Sequence, residues 1–333
     1  MPRRANAKAG EPALRGHHDP LDKFSRHRRL NDTIARALCR DQETISVGRR
    51  IANCAHVLGV ELYDQEDGHV DARLRAMRPC NARLCPFCEW RRTRAWRKRL
   101  FDGLAAYEAA GERRVPLFLT LTVPNPRMED LKATLKEMNA AWHRMTSSKG
   151  FPTDLWFRRT EVTVGAQQAH SPITAHPHFH VLLLVKPSYF GKRYIKQSEW
   201  ADRWSRAMRA DQRLIVDIRR VKPAAAASDG SESGSPEPID GKKNAVLEVA
   251  KYMAKGTQLV EIGSSLPEFH RQMAGVRLYA VSKGLRRYIK DGEVRGVEMM
   301  DQEETSIDSR LPDAHGIARW FDDQQEYLFT EIY

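Results

Sequence analysis

Hydrophobic and polar positions change rhythm several times along the chain, and each change predicts an element. Residues 115–123 (Val-Pro-Leu-Phe-Leu-Thr-Leu-Thr-Val) are β-rich, alternate in their second half and stop at Pro124-Asn125-Pro126, which predicts a strand with a firm end. Residues 128–145 carry Leu131, Leu135, Met138 and Trp142 at helical spacing. Residues 155–164 and 177–185 read as a second and a third strand. Residues 195–210 read as a helix with Trp200, Trp204 and Met208 on one stripe, and 214–221 and 275–281 as further strands. The order β-α-β-β-α-β, with a hairpin between the second and third strands, predicts an α+β fold. Its centre is an antiparallel five-stranded, ferredoxin-like sheet with packed helices. A doubly wound parallel sheet fits worse, and no glycine fingerprint for dinucleotides or triphosphates is present.

Outside this pattern the chain divides by composition. Residues 1–30 are basic with little periodicity and predict a flexible arm. Residues 31–110 start partly helical and lead into a cysteine-rich basic block, giving an N-terminal metal-binding and DNA-binding segment. The strands fall within 111–290, interrupted by an Ala/Ser/Gly/Pro-rich excursion at 224–243, and 291–333 form an acidic tail. The 55 Lys and Arg against 43 Asp and Glu give +12, concentrated before residue 291. A basic body of this size points to a polyanion such as nucleic acid. No run of 18 apolar residues exists, and Met1-Pro2-Arg3-Arg4 opens no apolar signal core, so the expectation is a cytoplasmic protein with no membrane partner. Five cysteines in such a chain suggest metal or free thiols rather than disulfides.

Three clusters carry candidate chemistry. In His176-Pro177-His178-Phe179-His180 the strand period puts His178 and His180 on one face, their backbones about 7 Å apart, which suits a shared divalent metal. On the preceding strand Glu161 has the parity to stand beside them across a hairpin, although it could instead pair with Arg158 or Arg159. Two imidazoles and a carboxylate would suit Mn²⁺ or Mg²⁺ with open positions. In residues 244–255 Glu248 and Tyr252 are four apart on one helical face, Lys255 borders it and Lys251 leans away. A phenol needs a metal and a cation nearby to act as a nucleophile. Cys80, Cys85 and Cys88 suit tetrahedral zinc, which wants a fourth ligand. Around and after them Arg83, Arg91, Arg92, Arg94, Arg97, Lys98 and Arg99 alternate with Trp90 and Trp96, as in surfaces that hold phosphates and stack bases.

Phe118-Leu-Thr-Leu-Thr-Val-Pro-Asn125, His176-Pro-His178-Phe-His180-Val-Leu-Leu and Glu248-Val-Ala-Lys-Tyr252-Met-Ala-Lys255 occur in this order and at fitting distances. Together they resemble the three motifs of plasmid rolling-circle replication initiators of the HUH endonuclease superfamily. The class resembled has a single tyrosine and a glutamate four residues before it. Arg159-Thr-Glu161-Val-Thr163 and Ile215-Val-Asp-Ile-Arg-Arg-Val-Lys222 extend the likeness over roughly residues 50–290.

The resemblance implies a metal-dependent, site-specific DNA endonuclease and strand transferase with His178, His180 and Glu161 as ligands. It implies Tyr252 as nucleophile, Glu248 as base for water in a later cleavage, and Lys255 as a cation beside the phosphate. His176 would be a third ligand, a partner of a ligand or a DNA contact. Cys54 would complete the zinc site, with His56 the other candidate and Cys39 left free. Arg83, the arginines after the knuckle, Lys98 and Lys251 would hold DNA. Partners would be plasmid origin DNA, single-stranded or as a hairpin, and the host helicase and replication machinery of a bacterial cytoplasm. A single-strand DNA transposase of the same superfamily, or a non-catalytic zinc-containing DNA-binding regulator, would be the rival readings.

Overall fold

Among the described residues nine strands pair into two separate antiparallel sheets, and the strand that carries the histidines lies at the middle of the larger one. The computed structural model describes residues 19–164, 173–221, 256–289 and 311–333. The larger sheet contains β3 (Val115–Thr122), β4 (Trp156–Val164), β5 (Ala175–Val185), β6 (Val216–Arg220) and β7 (Tyr279–Val281) in the order β6-β3-β5-β4-β7. The five stretches read as strands from the apolar rhythm are thus neighbours in one sheet. Central β5 is buried from Phe179 to Val185 because it is covered on both faces, which is why its sequence there is a continuous apolar run.

Register decides which residues share a face. Thr120 pairs with His180 and Thr122 with His178, while Glu161 pairs with His178 and Arg159 with His180. One face therefore collects Thr120, Thr122, Glu161, Arg159, His178 and His180. Farther along the same face Phe118, Phe157, Leu182 and Leu184 pack with Leu100, Leu104 and Tyr107 of helix α3 (Pro86–Ala109). The opposite face, with Leu117, Leu119, Leu121, Phe179, Val181 and Leu183, packs in the main core that includes helices α4 (Leu131–Thr146) and α5 (Gln197–Met208). The helical stripe Leu131, Leu135, Met138 and Trp142, and the pair Trp200 and Trp204, are buried there as expected.

The smaller sheet is built from stretches that the sequence pattern did not mark as strands. The basic arm was read to residue 30, but α1 (Asp22–Leu38) already occupies its end; residues 1–18 lie outside the described ones. The partly helical start expected after it is met by the rest of α1 and by α2 (Ile45–Ala52), and the hairpin of β1 (Val57–Asp64) and β2 (Val70–Met77) follows. The end of the acidic tail is a second hairpin, β8 (Ala314–Phe321) and β9 (Glu326–Ile332), and β8 pairs with β1 to give the order β2-β1-β8-β9. Tyr327 anchors this hairpin: it is buried and its hydroxyl donates to the Ala55 carbonyl. The excursion at 224–243 and the stretch 290–310 lie outside the described residues.

Candidate functional site

On the polar face of the larger sheet the Nε2 atoms of His178 and His180 each lie 2.8 Å from Oε2 of Glu161. One ligand atom from each of the three side chains falls within 4.8 Å of the others, a group able to hold a metal ion. Thr120 Oγ1 sits 3.2 Å from the other ring nitrogen of His180, and Phe118 stacks on the same ring at 5.5 Å, so strand β3 fixes its orientation. His176 stands beside His178, ring centroids 5.2 Å apart, outside the three-ligand group. Burial lowers the pKa of His180 and of His176, favouring the neutral imidazole that metals bind. Burial alone would raise the Glu161 carboxyl, but hydrogen bonds from His178 and His180 outweigh it and hold it at about 2. Glu161 is therefore an anion at neutral pH. Neither arginine beside it competes: Arg158 donates to Asn139 and covers the Phe179 ring, and Arg159 turns to Glu89.

Arg159 belongs to a buried network that sequence reasoning missed. Its guanidinium pairs with Glu89 at 3.2 Å and donates to the Tyr279 hydroxyl, which in turn donates to Glu89 at 3.0 Å. Trp96 stacks on Tyr279 at 5.2 Å. Burial, then the negative charge of Glu89, raises the Tyr279 pKa. The network links β4 and β7 to α3, and α3 begins at the cysteines.

The second metal-capable group is Cys54, Cys80, Cys85 and Cys88, gathered from the end of α2, the end of β2 and the start of α3. Cys88 Sγ lies 3.5 Å from that of Cys54 and 3.8 Å from that of Cys80. Cys85 caps α3 by accepting from the Cys88 amide, with Pro86 opening the helix. Hydrogen bonds with Cys54 drive Cys88 and Cys80 below the ordinary thiol range, whereas burial pushes Cys85 up. Asn31 of α1 holds the knuckle from behind, its Oδ1 accepting from the Cys85 thiol at 3.3 Å and from the Phe87 amide at 3.2 Å. His56 is not in this group, and Cys39 sits apart with its thiol directed at the Ile45 carbonyl.

The basic residues divide by environment. Arg91 is buried, Arg92 is committed to Glu89 and to the Ala82 and Arg83 carbonyls, and Arg83 donates to the Val276 carbonyl. Arg94 lies over Trp90 and Arg99 over Trp96, and exposed Lys98 pairs with Asp102 at 3.0 Å. Arg97 is partly buried on the same helix. Glu248, Lys251, Tyr252 and Lys255 lie outside the described residues. No described helix is long and apolar enough to cross a membrane.

Comparisons with known proteins converge on one description. The family model described as "Replication protein" matches residues 71–328. A "Protein rep" of Bacillus amyloliquefaciens is 40% identical over 216 residues, 63% of this chain and 60% of that protein. A "Protein rep" of a Bacillus species is 37% identical over 63% of this chain and 67% of its own length. A "Protein rep" of Lentilactobacillus hilgardii is 29% identical over a longer stretch, 84% of this chain and 86% of that protein. No solved structure matches the chain.

Proposed function

The chain belongs to the Rep_1 replication protein family, and from that premise we propose that it starts rolling-circle replication by nicking one strand at a plasmid origin. The observation that carries the reading is the convergence of Glu161, His178 and His180 on one sheet face. Two imidazoles and an ionised carboxylate suit Mg²⁺ or Mn²⁺, which supplies Lewis acidity toward a phosphodiester oxygen when bound. Thr120 Oγ1, within hydrogen-bond distance of the second nitrogen of His180, keeps its Nε2 turned to the ligand position. The Tyr252 oxygen attacks phosphorus; a 5′-phosphotyrosyl bond forms, the bond to the 3′ oxygen breaks, and the freed 3′-hydroxyl primes synthesis. Lys255 balances charge on the phenolate or phosphate. After one circuit Glu248 takes a proton from water for a second cleavage, so one tyrosine suffices. The fold then reads as the ferredoxin-like sheet of an HUH nuclease.

The thiol cluster suits structural zinc, four sulfur ligands closing a tetrahedron. Arg94, Arg97, Lys98 and Arg99, with Arg83 and Lys251, are the candidates to hold DNA phosphates. Arg91 and Arg92 serve packing instead, since one is buried and the other is held by Glu89. The partners of this reading are origin DNA, single-stranded or as a hairpin, and a host helicase in a bacterial cytoplasm.

The test is conversion of a supercoiled origin plasmid to open circles in Mn²⁺, alongside calorimetric Mn²⁺ binding. His178→Ala or His180→Ala should lose more than about 100-fold in nicking together with Mn²⁺ affinity, and His176→Ala about tenfold or less. Equal activity of all three variants at saturating Mn²⁺ would sink the assignment.

A further inference from the structure

The stretch from Lys186 to Lys196 (Lys-Pro-Ser-Tyr-Phe-Gly-Lys-Arg-Tyr-Ile-Lys) holds four cations and three aromatic rings and no acid, and nothing in the nicking reading uses it. It follows β5 directly, so it lies at the far end of that strand from the histidines, roughly 25 Å from His178 at about 3.3 Å per residue. There it helps to enclose a cavity of about 430 Å³, walled also by Phe151 and the start of α5. That volume lies inside the span of about 300–1,000 Å³ usual for ligand sites.

Charge and ring exposure say what would enter. The acid on the wall, Glu199, already accepts two hydrogen bonds from Arg203, at 2.7 and 3.2 Å, and Arg203 is further fixed by the Gly150 carbonyl at 3.0 Å. Lys186, Lys192 and Arg193 are exposed and form no ion pair with a described residue, which leaves the cavity with a surplus of positive charge. Tyr194 lines it with half its surface (53%) exposed, an unusual state for a large ring, while Tyr189 beneath is pinned by Trp200 and by the Ile195 carbonyl. A rigid aromatic floor, a presented ring and three uncommitted cations match a base and its flanking phosphates. A duplex is too wide to enter such a cavity; a single unpaired nucleotide is not.

We propose that this cavity is a second DNA site, which takes an unpaired nucleotide of the strand, its base against Tyr194 and its phosphates on Lys186, Lys192 and Arg193. The proposal rests on the nicking reading only for the strand being DNA. Its place, a few nucleotides' reach from the Glu161 group, would let the protein keep hold of the strand beside the cut.

Fluorescence anisotropy of the full chain with labelled (dT)20 over a series of salt concentrations tests it. Lys192→Ala with Arg193→Ala should weaken binding about tenfold and flatten the slope of log affinity against log salt by about 1.4, from about 0.7 per single-strand phosphate contact. Tyr194→Ala should weaken binding about fivefold or more with the slope unchanged. A control pair on α4, Lys132→Ala with Lys136→Ala, should change little; both residues are exposed. Wild-type affinity and slope in the cavity variants, or an equal loss in the control, would overturn the proposal. So would competition by dTMP at concentrations close to those of the (dT)20 strand, which would mark a free-nucleotide site. Nicking is scored separately on origin plasmid: a chain that never nicks but passes the anisotropy test loses the nicking reading alone. One that nicks with unchanged anisotropy in every variant loses this proposal alone.

Discussion

Glu161 meets both imidazoles because a single register, Glu161 opposite His178, puts three ligand atoms on one pleat. A buried carboxylate is tolerated only with partners, and the two histidines supply them, so the group is ionised and in place before any cation arrives. Tyrosines divide as sharply. Tyr279 lies near the site on β7, but its hydroxyl is engaged by Arg159 and Glu89, its ring is stacked on Trp96, and burial raises its pKa. That is the environment of a structural phenol rather than of a nucleophile. Tyr279→Phe should therefore still form the covalent DNA adduct, while stability falls by about 1–3 kcal/mol as the network loses a buried hydrogen bond. Denaturant unfolding beside adduct formation on gels reads both; adduct loss with unchanged stability would give Tyr279 a chemical role.

At the scale of elements, α3 connects the two metal-capable groups. Its first turn carries Cys85 and Cys88, its second face offers Glu89 to Arg159, and its later turns cover the sheet beside the histidines. One tightly held zinc per chain is expected on Cys54, Cys80, Cys85 and Cys88. Its removal by chelator should loosen the knuckle and weaken DNA binding before it touches the chemistry of the Glu161 group. Elemental analysis of protein purified without chelator checks the count, and an absence of zinc would contradict it. The larger sheet was legible because its strands are apolar or alternating, and parity brought Glu161 within reach of the histidines but left a pairing with Arg158 or Arg159 open until the register of β4 on β5 decided it. The smaller sheet was not. Its central pairing joins β1 to β8 across some 250 residues of chain, and no local pattern reports that. Helix α1 was hidden by its own buried face, where Arg28 and Asn31 take positions an amphipathic pattern reserves for apolar side chains. Arg28 is admitted by Asp32, the Ala52 carbonyl and the Trp320 ring, all contacts that only the folded chain supplies.

For the whole molecule, positive charge gathers in the body, the thiol cluster shares the main core with one face of the larger sheet, and the basic helix packs on the other face. Such an arrangement suits a protein that grips one strand while it makes two successive cuts. Glu248 belongs to this scale, since its proposed part appears only after the replication circuit has closed. Glu248→Ala should nick the origin at near the wild-type rate yet release few single-stranded circles, because the second cut lacks a group to accept water's proton. If Glu248 only pairs with a surface cation, an interaction worth under about 1 kcal/mol, nicking and release would both stay normal. Comparing the initial nicking rate with the yield of circles separates the two. The central claim, a strand cut through Tyr252, is tested most directly by mass spectrometry of the adduct formed with origin DNA in Mn²⁺. The account predicts a 5′-phosphate on Tyr252 in the wild-type chain and no adduct from Tyr252→Phe, which should still bind the origin. An adduct on any other residue, or nicking by the Phe variant at the wild-type rate, would contradict it.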